Sequence, residues 1–491
     1  MSYEITVGII EHVYTIISIL NIFLAMVVIF IERRDAAVTW AWLMVLLFLP
    51  VLGFILYFTL GQSLRRRKLC RLEEKDKTMA LDVSEAQWEQ LRRHQYSFRN
   101  PEAANYQDMI MLNLRSGMAL YTEDNCVDVF TDGKEKFAAL FQAIASAKDH
   151  IHVLYYIIKN DETGRRLRDA LVDKAKAGVE VRLLYDDVGS ANLSGDFFRP
   201  LKEAGGKTAA FFPSKIPYLN IRVNYRNHRK LAIIDGHVGF LGGFNVSNKY
   251  LGLNERIGYW RDTHLRIVGS SVLQMQLQFL IDWNMASQEL LEADSRYFPI
   301  KESPKINDQS MGVQIVSSGP KDEMDQIKDA FIKMIYKAKK SIWIQTPYFI
   351  PDESLLNALK TAALSGLDVR IMIPKVPDHQ MVYWATYSYL GNLLPLGVRC
   401  FLYENGFLHA KTIVVDGTVS SVGTANFDIR SFKLNFETNA FIYHAALGKR
   451  MMEIYEEDMQ HCTELTVEEY EQRSRLQRIK ESFVRLLTPI L

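Results

Sequence analysis

The chain has 491 residues, too long for one ordinary domain and long enough for two or three. Hydrophobic residues make up 48% and charged residues 23%, which excludes a disordered chain, and 58 Lys+Arg against 57 Asp+Glu leave a net charge of +1. A dedicated nucleic-acid binder carries a clear basic excess, because phosphate contacts dominate its affinity, and no such excess is present.

Residues 13–31 form an uncharged apolar run, and after Glu32-Arg33-Arg34-Asp35 a second run occupies residues 36–60. Each approaches the ~20 residues that cross a bilayer's hydrocarbon core. The leading segment holds Glu4 and Glu11 but no Lys or Arg, and no small-residue cleavage site follows, which argues against a cleaved signal peptide. Trp40 and Trp42 near one end of the second run, with Tyr57 near the other, suit an interfacial aromatic belt. Residues 1–62 are therefore expected to form a hairpin of two membrane helices. Arg65, Arg66, Arg67, Lys68 and Arg71 outnumber Arg33 and Arg34, so the positive-inside rule places the rest of the chain in the cytoplasm. The two outer arginines leave open a shallow hairpin that only dips into the membrane from that side. Residues 63–120 are polar and charged and read as a linker. Four scattered cysteines (Cys70, Cys126, Cys400, Cys462) lack metal-ligand spacing and read as reduced thiols.

The remainder repeats itself. AKDHIHVLYYI from Ala147 matches AKKSIWIQTPYFI from Ala338, each a buried strand after an amphipathic helix. KAGVEVRLLYDD from Lys176 matches LSGLDVRIMIPK from Leu364, again a helix end, a glycine and a strand. The pattern predicts an α/β fold of two pseudo-twofold-related halves, residues 121–305 and 306–491.

The repeat carries polar residues too. NHRKLAIIDG from Asn227 and LHAKTIVVDG from Leu408 share His-x-Lys-x-x-x-x-Asp. Alternate residues of a strand share a face, so His228 projects with Lys230, and His409 with Lys411. Asp235-Gly236 and Asp416-Gly417 are hairpin turns. Counting outward from a two-residue turn sets His228 opposite Gly243 and His409 opposite Thr424, small residues that would leave room for a ligand. Asn245 and Asn426 lie two residues beyond. Imidazole, ammonium and amide supplied twice suit a phosphodiester, with Lys and Asn on the non-bridging oxygens. One histidine would attack phosphorus and the other protonate the leaving alcohol. Each histidine needs an acidic partner, for which Asp262 and Glu437 are the candidates. Asp235 and Asp416, the third members of the motifs, suit bracing of the turn better than contact with substrate. No H-E-x-x-H, Walker A loop or acidic pair at metal-ligand spacing occurs, so neither a metal nor another cofactor is expected. His150, His152 and His264 read as structural.

These motifs resemble the phospholipase D superfamily: H-x-K-x4-D followed by G-[GST]-x-N, twice. TWAWL, YRNHRK, YWRDTHLRI, QTPYFIPDE and ANFDIRSFKLNFETN narrow the resemblance to bacterial cardiolipin synthases, over nearly the whole chain. The resemblance implies two phospholipase D-like halves, each a mixed sheet flanked by helices. It also implies a reaction in which two phosphatidylglycerols give cardiolipin and glycerol. His228 would take the phosphatidyl group and His409 would act as acid and then base, without ATP or CDP-activated lipid. Transfer to water, giving phosphatidic acid, is the nearest alternative, and a nuclease of the same superfamily a remote one. Membrane and anionic phospholipid are the expected partners, and nucleic acid is not.

In RSRLQRIKESFVRLLTPIL, Leu476, Ile479, Phe483, Leu486 and Ile490 fall on one helical face, with Arg473, Arg475, Arg478, Lys480 and Arg485 around them. A helix packed on its domain and a helix touching anionic lipid both fit this pattern.

Overall fold

The computed structural model describes residues 2–31, 36–60, 74–213, 224–253, 258–299, 310–320, 322 and 324–488. The basic residues flanking the apolar runs (Arg33, Arg34 and the cluster Arg65–Arg71), together with Cys70 and Ile490, lie outside the described residues.

The first apolar run is helical over Ser2–Met26 and continues as one wider turn, Val27–Ile31. Its stretch Glu11–Phe30 is long and apolar enough to cross a membrane. The second run is not the single straight helix expected from its length. Pro50 divides it into Ala36–Phe48 and Pro50–Leu60, and the backbone doubles back so sharply that a Cβ on Gly53 would fall 2.4 Å from the Val45 carbonyl oxygen. Proline has no N–H to give its helix, and the buried Asn21 amide donates to the Leu46 and Pro50 carbonyls at 3.1 and 2.8 Å. The bend also brings Trp42 against Tyr57, ring centroids 5.3 Å apart, so these two rings do not mark opposite ends of one span. At 1.5 Å per residue, limbs of 13 and 11 residues reach only about 20 and 17 Å, short of the ~30 Å hydrocarbon core.

Beyond Glu74 the expected linker is mostly helical. Glu74–Arg92 and Gln107–Gly117 pack Leu91, Met109, Ile110 and Leu114 against Val316, Ile327 and Phe331 of the second half. The segment is polar outside because only one face of each helix is buried.

Both halves share one 15-stranded mixed sheet. From the centre outward, the first half contributes Thr122–Phe130, His264–Val268, Val238–Gly242, Leu231–Ile234, His150–Tyr155, Glu180–Asp186 and Lys207–Phe211. The second half contributes Met311–Ser318, Glu437–Tyr443, Val419–Gly423, Thr412–Val415, Ser341–Gln345, Asp368–Pro374 and Arg399–Tyr403, with Cys462–Leu465 as an extra edge strand. The same order runs outward on both sides of a central antiparallel joint, where Thr122 pairs with Val313. The predicted helices precede the predicted strands: Gly133–Ser146 and Gln326–Lys337 lead into the first matched pair, Glu162–Lys176 and Glu353–Leu364 into the second. One apolar cluster draws on both halves, setting Leu231, Leu241 and Phe279 beside Val313, Val422 and Phe436. The halves therefore share a core and could not be pulled apart without exposing it.

The two Asp-Gly hairpins form, with one correction to their register. Ile234 pairs with Val238, and Val415 with Val419, so each turn holds three residues, His237 or Thr418 following the Asp-Gly. Asp235 (φ 52°) and Gly236 (φ 62°) are both left-handed, as are Asp416 (φ 54°) and Gly417 (φ 65°). The third residue shifts every partner by one. Extending the ladder puts His228 level with Phe244 and His409 level with Ala425, not with Gly243 and Thr424.

Candidate active site

Each histidine stands ahead of the strand its motif leads into and is tied by backbone hydrogen bonds to the other half. His228 N–H donates to the Phe436 carbonyl (3.0 Å) and Phe436 N–H to the Arg226 carbonyl (2.9 Å). On the other side, His409 N–H donates to the Arg261 carbonyl (2.7 Å) and Phe407 N–H to the Tyr259 carbonyl (2.9 Å). The residue that follows each of these tethers is a carboxylate.

The carboxylates therefore pair crosswise. His228 of the first half holds Glu437 of the second, Nδ1 to Oε1 and Oε2 at 2.9 and 3.0 Å. His409 of the second half holds Asp262 of the first, Nδ1 to Oδ2 at 2.6 Å. Both carboxylates are fully buried. An ionised carboxylate only accepts, so each Nδ1 carries its proton and each Nε2 is left for chemistry. Both histidines line a cavity of about 370 Å³, together with Asn245, Asn426, Tyr156, Trp260, Tyr348 and Arg226. That volume is of the size of small-molecule sites.

Gly243 and Thr424 serve the carboxylates, not a ligand beside the histidines. A Cβ on Gly243 would fall 1.9 Å from Asp262 Oδ1, so only glycine lets that carboxylate reach His409. Thr424 Oγ1 accepts from Thr438 N–H (2.9 Å) and its hydroxyl also supports Glu437. The sequence signal, a small residue, is real, and what fills the space is the same half's acid, reaching toward the other half's histidine.

Lys230 and Lys411 are buried beneath the histidines, and the ammonium of each donates to the carbonyl of its own histidine. Burial pushes Lys230 down to about 7 and Lys411 to about 8, against the pull of Glu437 and Asp262 respectively. Burial likewise lowers His228, opposed by Glu437, and brings His409 to about 3 with the help of Lys411. Burial would raise the two carboxylates, but His228 and Lys230 outweigh it at Glu437, and Lys411 and His409 at Asp262, leaving both below the ordinary range. The resting site thus holds two neutral imidazoles, two carboxylates and two lysines poised near neutrality. A phosphodiester anion entering it would favour the charged forms of the lysines and of one imidazole.

Asp235 and Asp416 lie seven residues from their histidines, roughly 20 Å along an extended strand. Asp235 accepts from the backbone N–H groups of Lys148, Asp149 and His150 (2.9, 2.8 and 3.0 Å). Asp416 repeats the arrangement with Lys339, Lys340 and Ser341 (2.8, 2.8 and 2.9 Å). Both belong to the motif and neither to the cavity. His150, His152 and His264 are fully buried in strands, His152 stacked on Phe279 at 4.6 Å.

The family described as cardiolipin synthase, PLD-like domain, matches residues 140–271 and 331–461, and the phospholipase D-nuclease N-terminal family matches residues 19–62. The major cardiolipin synthase of Bacillus subtilis is 54% identical over 96% of this chain and 98% of its own. A cardiolipin synthase of Oceanobacillus iheyensis is 49% identical over 96% and 98%, and one of Listeria monocytogenes 48% over 99% and 100%. The chain belongs to the cardiolipin synthase family of the phospholipase D superfamily. The crystal structure of phosphatidylserine synthase from Haemophilus influenzae shares the fold, with a TM-score of 0.60 at 16% identity over 78% of this chain and 100% of that one.

Within the family fold, several site residues lie outside the motifs read from the sequence. Lys249 and Arg430 both line the cavity. Each stands four residues after its half's asparagine, so the duplication itself pointed to them. Arg229, between His228 and Lys230, turns away from the cavity. It holds Asp282 of its own half at 2.7 Å, and its guanidinium donates to the Glu437 carbonyl (3.1 Å) and Thr438 Oγ1 (2.8 Å) of the other.

Proposed function

We propose that the chain is a phosphatidyltransferase that joins two phosphatidylglycerols into cardiolipin and releases glycerol. The crosswise pairing of two histidines with two buried carboxylates around one cavity carries this reading, because it supplies a nucleophile and an acid–base pair in one place. In the first step neutral His228 Nε2 attacks phosphorus, the bond from phosphorus to the glycerol headgroup oxygen breaks, and His409, protonated at Nε2 as the phosphodiester anion binds, gives that oxygen the proton. In the second step neutral His409 takes the proton from a headgroup hydroxyl of the second phosphatidylglycerol. That oxygen then displaces His228 from phosphorus. Lys230, Lys411, Asn245 and Asn426 are assigned to the non-bridging oxygens, where charge gathers. One phosphodiester replaces another, so no nucleotide is consumed.

The functional units in this reading are residues 121–305 and 306–491, each bringing one histidine and the other's acid. Residues 1–62 hold the enzyme in the cell membrane. A hairpin that enters and leaves by the cytoplasmic face reconciles the two expected spans with the bend at Pro50. The basic run Arg65–Arg71 supports a cytoplasmic catalytic body. Protease access to that body in sealed vesicles of either orientation checks the side.

Phosphatidylglycerol labelled with radioactive phosphorus tests the covalent step. Rapid acid-free quenching should leave label on the peptide containing His228, and excess unlabelled phosphatidylglycerol should chase it into cardiolipin. Label on the His409 peptide would reverse the two roles.

A further inference from the structure

The helix Arg475–Leu487 shows two faces. One packs on the helix Gln380–Leu390 through Val484, Glu481 and Thr488, all nearly fully buried, with Thr488 Oγ1 3.2 Å from Tyr389 Oη. The other leaves Leu476, Ile479, Phe483 and Leu486 between 62% and 73% exposed. Their spacing of three, four and three residues makes one continuous apolar stripe. Arg475, Arg478, Lys480 and Arg485 flank it and are exposed. The helix's one acidic residue, Glu481, is turned inward against Arg473 at 2.5 Å. The outward surface of this helix is therefore apolar and cationic, without an acidic group.

The stripe adjoins the cavity. Thr488, at the end of this helix, and His379 and Val382, at the start of its partner helix, line the cavity wall. Val376 (64% exposed) and Met381 (43%) flank His379 and extend the apolar surface. An apolar row with basic flanks complements one kind of partner, a bilayer surface bearing anionic phospholipid, in which the reactants reside.

We propose that this helix lies in the interface of an anionic bilayer, its stripe among the acyl chains, and turns the cavity toward lipids still in the membrane. The inference rests on the phosphatidyl-transfer reading for its substrate and adds a docking surface separate from the N-terminal anchor. That anchor fixes the chain at the membrane, and the helix sets which way the cavity faces.

Full-length protein is reconstituted in phosphatidylcholine vesicles with and without phosphatidylglycerol. In a Phe483→Trp variant, bromine-labelled acyl chains should quench the introduced indole, more strongly with phosphatidylglycerol present. An Ile479→Ser/Phe483→Ser variant should make cardiolipin on vesicles about tenfold more slowly, yet stay within about twofold of wild type on short-chain phosphatidylglycerol dispersed as monomers. Retained monomer activity shows that the variant is folded. An unquenched indole with unchanged vesicle rates would overturn the proposal. So would self-association that the serine variant abolishes, since a second copy would then cover the stripe. Wild-type protein that makes no cardiolipin in either format would overturn the transfer reading instead, leaving the quenching to judge the docking surface.

Discussion

Replacing Glu437 with glutamine tests whether an acid in one half serves a histidine in the other. The substitution keeps shape, and the amide oxygen can still accept from Asn435 Nδ2, now 3.1 Å from Oε1, so the fold should survive. What it removes is a full charge, fully buried, 2.9 Å from His228 Nδ1. His228 gains positive charge as it bonds to phosphorus, and that charge is spread over the ring, about 4 Å from the carboxylate. At an effective dielectric constant near 20, a unit pair at that distance is worth about 4 kcal/mol. Such a loss in the transition state slows the step by about three orders of magnitude. Initial rates of cardiolipin formation in mixed micelles should therefore show kcat down about a thousandfold, with KM within a few-fold and thermal unfolding little changed. Formation of the phosphohistidine, followed in a single turnover, should slow by the same factor. A kcat within tenfold of wild type would refute the reasoning.

Further outcomes follow from the same geometry. Asp235→Ala or Asp416→Ala strips three backbone N–H groups of their acceptor and puts alanine at positive φ, so each should lower stability by about 2–4 kcal/mol by denaturant unfolding. The folded fraction should keep kcat within a few-fold, because these residues lie outside the cavity. Arg229→Met leaves Asp282 buried without its cation and should cost about 3–5 kcal/mol in the same assay. The pH profile of kcat/KM should fall on the acid side only below the ordinary histidine range, since burial lowers His228 and the nucleophile must be unprotonated. On the alkaline side it should fall as His409, which burial and Lys411 bring to about 3, loses the proton it gives the leaving oxygen, and further as Lys230 and Lys411 lose theirs through about 7 and about 8. Lys249→Met should raise KM for phosphatidylglycerol about tenfold with a smaller change in kcat, if its ammonium meets lipid phosphate at the cavity wall.

The duplicated α/β halves were legible because strand and helix periodicity recur with the same punctuation, as at Gly178 and Gly366. The residue types that meet at the candidate site were legible because the same polar skeleton stands twice in otherwise apolar strands. Spacing could not disclose that Glu437 serves His228 and Asp262 serves His409. That choice is made by backbone tethers between segments far apart in sequence, at Phe436 and Arg261. The hairpin register differs by one from what the sequence signals, because Asp-Gly signals a two-residue turn, whereas here a third residue joins it. Pro50 was visible in the second apolar run, yet proline is tolerated in membrane helices, and the sharp fold-back depends on Asn21 in another helix.

The central claim is tested most directly with phosphatidylglycerol as the only lipid substrate. Wild-type protein, His228→Ala and His409→Ala are each reconstituted, and products are read by lipid mass spectrometry with a glycerol assay alongside. Cardiolipin and glycerol in equal amounts, absent from both variants, is the predicted result. Phosphatidic acid as the main product, or cardiolipin made at the wild-type rate by either variant, would contradict it.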